Sequence, residues 1–235
     1  MATKKDKTTK KGKKTKLSYT VIKAKKTMVR LKPLNIVHAR LTMVGTGNKA
    51  MLMEKEDPSI GKRYELKRCK RTFDEDIRLE SEKVNDKIHR LEDGRVGFPT
   101  AGFFKGMIES APDLDIYKKT VRSAVQMMDE RVPLQYSKQT EHHAMGKQSG
   151  ISGAPRPIIR PCFHDWSAEL NILLNQDILS PEQLINLLNQ AGFGQGIGSW
   201  SQRHKSPGPF GHYKVANVTM VNGENGKDKK KTQAE

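Results

Sequence analysis

The segment from Gly192 to Gly211 gathers side chains suited to holding a phosphate backbone. It contains Gly192, Gly194, Gly196, Gly198, Gly208 and Gly211, with Trp200, Arg203, His204 and Lys205 between them. Glycine lets a backbone approach a ligand closely and exposes N–H groups to phosphate oxygens. Arginine and lysine add charge-assisted contacts, and an indole offers a face on which a base can stack. His212 and Lys214 extend the cationic set where the loop ends. The competing reading is a long hairpin-like connection with Trp200 tucked against the core. The segment is not a P-loop, because the Gly-Lys-Ser/Thr ending is absent. It is not a dinucleotide fingerprint either, because it follows a helix rather than opening one.

Other groups could join this chemistry. Arg156 and Arg160 precede the strand at Trp166 and could line the same groove, although Pro155, Pro157 and Pro161 equally suggest a stiff connector. Lys105 falls in the first turns of a helix, where the dipole also favours anions. Arg40 stands with His38 on the polar face of a strand. His142-His143 and Cys162-x-His164 are the groups that invite a metal, but each lacks the further ligands a site needs. No metal or other cofactor is therefore expected. No Gly-x-Ser-x-Gly or Cys–His signature appears, and Asp165 beside His164 reads as a turn before a strand, so no catalytic residue is assigned.

The elements that must position these residues follow from periodicity. Within Leu34 to Val44, Val37, Ala39, Leu41 and Met43 alternate with His38, Arg40 and Thr42, the pattern of a half-buried strand. Glu54 to Arg71 reads as loop around Asp57-Pro58. Val84, Ile88 and Leu91 give Asp74 to Leu91 one helical stripe, ended by Asp93-Gly94. Ala101 to Ser110 is expected to be a helix with Thr100 as N-cap, and Leu114 to about Met128 another. Val132 to Tyr136 suits a short strand, and Gln139 to Pro157 a long exposed loop.

Trp166, Ala168, Leu170, Ile172 and Leu174 then alternate with polar residues along a second strand. Ser180-Pro181-Glu182-Gln183 supplies an N-cap, a proline at the first helical position and a capping-box partner. Leu184, Leu187, Leu188 and Ala191 form the stripe of that helix, with Gly192 expected as a left-handed C-cap. Tyr213 to Val221 returns as a strand. Strand, helix, loop and strand make half of a ferredoxin-like fold.

The 235 residues carry 43 Lys+Arg against 26 Asp+Glu, a formal net charge of +17. That charge concerns partners rather than fold, and polyanions are the natural partners. Residues 1–16 and 222–235 are lysine-rich and poor in apolar side chains, so both are expected to be disordered basic tails flanking one α+β domain over 17–221. No apolar run approaches the roughly 18 residues of a membrane span. The two cysteines, Cys69 and Cys162, follow no ligand spacing and read as free thiols. A cytoplasmic protein with no membrane partner is expected.

Two segments carry a resemblance. Gly94-Arg95-Val96-Gly97-Phe98-Pro99-Thr100-Ala101-Gly102-Phe103-Phe104-Lys105-Gly106 resembles the short "proline, small residues, lysine or arginine, glycine" helix start of the RAMP-class proteins of CRISPR complexes. Gly192 to Tyr213 looks like their C-terminal glycine-rich loop. The core from about Leu34 to Val221 is also similar to a group of uncharacterised bacteriophage proteins. These share the Trp-Ser-x-x strand, the Ser-Pro-Glu-Gln helix start and a Gly-x-Gly-x-Trp loop, here Gly196-Ile197-Gly198-Ser199-Trp200. In that group the tryptophan is usually followed by Arg-Pro, where this chain has Ser201-Gln202. The resemblance implies an α+β, ferredoxin-like (RRM/RAMP-like) core that binds along a single RNA or DNA strand and can form head-to-tail oligomers. It carries a binding role onto Lys105, Trp200, Arg203 and Lys205.

The expected function is therefore largely sequence-independent binding of single-stranded RNA or DNA. A second expectation is a virion or filament subunit whose basic arms face nucleic acid. A third is a RAMP-like endoribonuclease using His142, His143 or His164.

Overall fold

A computed structural model describes residues 33–55, 73–147 and 155–222. Both tails and the segment 56–72, where most of the Glu54–Arg71 loop was expected, lie outside the described residues, as does Cys69.

Strand β1 (Ile36–Gly45) buries Val37, Ala39, Leu41 and Met43 and turns His38, Arg40 and Thr42 the other way. The alternation read in the sequence thus forms as expected. β1 pairs antiparallel with β8 (Ser167–Asn175), setting Leu41 against Leu170 and Ala39 against Ile172, so both apolar faces meet one core. On its other side β1 pairs with β9 (Tyr213–Asn222), with a shift of register at Thr42 and Met43.

The helices cover one face. Between β1 and the strands β4 (Val125–Met127) and β5 (Arg131–Gln135) runs α2 (Thr100–Ser110), while α4 (Pro181–Gly194) connects β8 to β9. Leu184, Leu187, Leu188 and Ala191 of α4 and Phe103 and Met107 of α2 are fully buried in the same cluster as β1 and β8. Among the described residues the sheet order is β3-β5-β8-β1-β9, with β3 at Gly97–Pro99 and β4 also paired to β8. Counting β4/β5 as one unit, the chain makes β-α-β-β-α-β with spatial order second, third, first, fourth. This is the ferredoxin-like arrangement. The fold is α+β with a ferredoxin-like core, and the sequence reading had found its second half.

A second sheet, β2-β7-β6, is inserted on this core. β2 is Ala50–Leu52, β6 Lys138–Lys147 and β7 Pro155–His164, with α1 (Phe73–Glu82) against β7. The expected loop over Gln139–Pro157 is thus largely an antiparallel hairpin. Pro155, Pro157 and Pro161, read as a connector, sit inside β7. They occupy alternate positions, and the carbonyl of Pro161 faces Met53, whose N–H it accepts at 3.1 Å. Their missing N–H groups therefore point away from β6, where no ladder bond is lost.

Further boundaries differ from expectation. The stripe at Val84 and Ile88 belongs to a 3₁₀ turn, Val84–Lys87, not to one long helix. Lys87 is buried there and donates to Glu80 at 2.9 Å and to the Ile159 carbonyl at 2.6 Å, pinning the turn to α1 and β7. The expected helix from Leu114 shrinks to α3 (Lys118–Ala124), because Val125 enters β4. Thr100 opens α2 without capping it. Its hydroxyl donates to the Glu130 carbonyl at 3.1 Å instead. The capping box of α4 is present: Ser180 Oγ accepts the Gln183 N–H at 3.2 Å and Gln183 Oε1 accepts the Ser180 N–H at 2.9 Å. Gly192 is no C-cap, since the helix runs on to Gly194. It is glycine because a Cβ there would strike the backbone of Tyr213.

Candidate nucleic-acid interface

The glycine-rich loop, from Gln195 to His212, is held against the inserted sheet by main-chain bonds. Ser199 donates its N–H to Leu52 O at 2.8 Å, Gly211 donates to Ala50 O at 2.8 Å, and Ile197 donates to Gly211 O at 2.9 Å. Gly198 (φ +81°) and Gly211 (φ +77°) adopt left-handed backbone in places where a Cβ would overlap the carbonyls of Leu52 and Ile197. These glycines serve close approach of protein to protein, not the display of N–H groups to a ligand that the sequence suggested.

Trp200 is likewise part of this anchorage. It is half-buried beside Ala50, Leu52 and Cys162, with the ring of His142 at 5.3 Å and that of Phe210 at 6.1 Å. Gly208 leaves room for it, because a Cβ there would meet the indole. The alternative read in the sequence, an indole tucked against a core, describes this placement better than an open stacking platform.

Beneath the loop, Arg160 donates from Nε to Glu54 Oε2 at 2.7 Å, and its side chain is 13% exposed. Arg160 therefore braces the loop from below rather than facing outward as expected of a phosphate-binding cation. Burial alone would raise the pKa of Glu54. The hydrogen bond and charge of Arg160, with help from Ser199 and Lys87, outweigh it and hold the carboxyl below its ordinary range.

Between α2 and the loop opens a cleft of about 740 Å³. Lys105 from α2 and Arg203 and His204 from the loop all line it, together with Glu54, His89 and Glu109. Both carboxylates are countered by cations from outside the cleft: Glu54 by Arg160, and Glu109 by Lys118 at 2.7 Å. Lys118 also keeps the Glu109 carboxyl below its usual range. Lys105 and Arg203 are exposed and have no ion-pair partner among the described residues. The cleft thus presents net positive charge from two uncommitted cations.

The remaining expected residues are dispersed. Lys205 is exposed on the crown of the loop and lines neither this cleft nor its neighbour. His212 and Lys214 line a separate pocket, beyond the other side of the loop. Arg40 pairs with Glu169 at 3.3 Å on the sheet face opposite the helices, so it is neither free nor near the cleft. Arg156 lies on β7 opposite Gly146, and its side chain is outside the described part. Glu54 and His89 gave no signal in the sequence, being embedded in charged stretches.

The three histidines considered for nuclease chemistry do not line the cleft. His142 is packed against Trp200 and Phe210, His143 faces Glu141 at 3.3 Å, and His164 Nε2 is 2.8 Å from Thr140 Oγ1. Asp165 accepts the Ser137 hydroxyl at 2.8 Å, a turn contact. Among the described residues no cluster of three or more His, Cys, Asp or Glu side chains could hold a metal, and no helix is long and apolar enough to cross a membrane.

The fold and the position of the cleft define a RAMP-like α+β protein with a glycine-rich loop beside the first core helix. No protein-family model matches the chain, and neither does any curated protein. Among solved structures it is similar to a chain in the cryo-EM structure of the Type III-B Cmr-beta bound to cognate target RNA, with 12% identity and a TM-score of 0.52. The match covers 80% of this chain and 61% of that one, so this chain spans less than two thirds of its neighbour. At that identity the likeness concerns the fold.

Proposed function

We propose that the protein binds single-stranded RNA or DNA in the cleft between α2 and the glycine-rich loop, mainly through phosphate contacts and largely without sequence specificity. The observation that carries this is the convergence of Lys105, Arg203 and His204 on one cleft whose two carboxylates are already neutralised. The formal net charge of +17 favours encounter with any polyanion. The similar Cmr-beta structure is bound to target RNA, which supports the same ligand class here. The sequence likeness to bacteriophage proteins extends the reading to a phage-encoded protein acting in the host cytoplasm, with several copies following one strand.

Fluorescence anisotropy with labelled oligouridylate and oligothymidylate, titrated over salt, tests this. Lys105→Ala and Arg203→Ala should each weaken binding of every sequence alike. Each lost phosphate contact should flatten the log–log salt slope by about 0.7. Absence of binding at low salt, or full affinity in the double variant, would overturn the reading.

A second reading, a subunit of a regular assembly, draws on an apolar groove of about 570 Å³ lined by Leu34, Ile36, Phe104 and Met127. A large regular particle that survives nuclease treatment would favour it.

A further inference from the structure

The pocket across the loop from the cationic cleft holds a different combination of groups. It measures about 700 Å³ and lies between the end of α4 and the start of β9. Phe193, at the C-terminal end of α4, is 77% exposed and forms one wall. It sits off the apolar stripe of Leu184, Leu187, Leu188 and Ala191, so core packing does not explain a phenyl ring there. Lys214 is exposed on the same pocket, and no carboxylate lines it. His212 Nδ1 is 3.3 Å from the Gly192 carbonyl and can only donate to it, which turns Nε2 away from the helix end.

The two clefts are neighbours along the loop. Gln202 lines the pocket of Phe193, while the next residue, Arg203, lines the cationic cleft. With its amide nitrogen toward the helix end, Gln202 donates to the Phe193 and Gly194 carbonyls at 2.9 and 3.0 Å, fixing the loop crown beside Phe193. A strand crossing the crown between residues 202 and 203 would therefore meet cations on one side and an open aromatic face with one lysine on the other. Aromatic faces accept any base, and a nearby cation accepts the phosphate that follows it.

We propose that this pocket is a single-nucleotide subsite, in which a base stacks on Phe193 while its phosphate is held by Lys214 and His212. The proposal rests on the reading of the protein as a single-strand binder and adds a base-dependent component to its phosphate contacts. It makes Phe193, rather than Trp200, the stacking residue.

The test compares the full chain with Phe193→Ala, Phe193→Trp, Lys214→Ala and Lys105→Ala. Each binds oligouridylate and an abasic strand of equal phosphate number. Phe193→Ala should lose about tenfold in affinity for the base-bearing strand with an unchanged salt slope, and nothing on the abasic strand. Phe193→Trp should restore the affinity, and Lys214→Ala should flatten the salt slope on both strands. If Lys105→Ala weakens binding but Phe193→Ala does not, the subsite is overturned while the cationic cleft stands. Equal loss on both strands overturns stacking. A fall in oligomer size with strand affinity retained would assign Phe193 to a contact between subunits instead. If the unaltered protein binds no strand at low salt, both this subsite and the reading beneath it fall.

Discussion

Glu54 Oε2 accepts two hydrogens at once, from Arg160 Nε at 2.7 Å and from the Ser199 hydroxyl at 2.8 Å. One carboxylate thereby ties β7 to the glycine-rich loop. Taking away the arginine leaves a half-buried charge without its partner. Arg160→Met should lower unfolding stability by about 1–3 kcal/mol, read from the urea midpoint. Arg160→Lys should recover only part, since an ammonium lacks the planar fork. An unchanged midpoint in Arg160→Met would mean that the loop stands without the pair.

The same carboxylate predicts acid sensitivity. Glu54 is held below its ordinary range by Arg160, Ser199 and Lys87 against the opposing effect of burial. Glu80 is held low by Lys83 and Lys87, again against burial. Their contribution is fully present above about pH 4.5 and is lost as pH falls through the depressed folded values. Burial, aided by the charges of Arg160 and His143, lowers the pKa of His142 from 6.5, so protonation there also favours the unfolded chain. Urea midpoints should fall as pH drops below 6.5, less steeply in His142→Phe, and fall again below 4.5, less steeply in Glu54→Gln.

Three loop glycines separate backbone conformation from crowding. Gly198, Gly211 and Gly94 all have positive φ, but a Cβ meets a carbonyl at the first two and nothing within 4 Å at Gly94. Gly94→Ala should cost only the left-handed penalty, about 1–2 kcal/mol. Gly198→Ala and Gly211→Ala should each cost more, because the loop must also leave β2. Equal thermal midpoints for the three variants would contradict this placement.

Trp200 offers a check on the division between anchorage and binding. Trp200→Phe retains an aromatic ring between His142 and Phe210 and should bind oligonucleotides within about twofold of the unaltered chain. Trp200→Ala should destabilise by about 3 kcal/mol. A large loss of affinity in Trp200→Phe with stability intact would return the indole to the binding surface.

How much of this was legible depended on whether one face of an element is buried. β1, β8 and α4 each set an apolar face against one core, so alternation and the capping box at Ser180–Gln183 identified them directly. β6 and β7 form a thin sheet. Polar residues of Lys138–Lys147 alternate with nothing apolar, and three prolines in β7 mimic a linker, so a hairpin was read as loop. Of the site, Lys105, Arg203 and His204 were found by charge and glycine content, and distance in three dimensions joined them. Arg40 and Arg160 could not be separated from free cations, because their partners Glu169 and Glu54 lie 129 and 106 residues away in sequence. Phe193 did carry a signal: an aromatic ring two residues past the end of the apolar stripe, on the polar side of its helix.

The division of labour within the loop has an engineering consequence. Residues 196–199 and 208–211 are stitched to the rest of the protein, whereas residues 202–207 are all exposed and lie between them. The crown resembles a cartridge in a fixed socket. Replacing those six residues, with Gly198, Trp200, Gly208 and Gly211 retained, would let ligand preference be reprogrammed by library selection without rebuilding the scaffold.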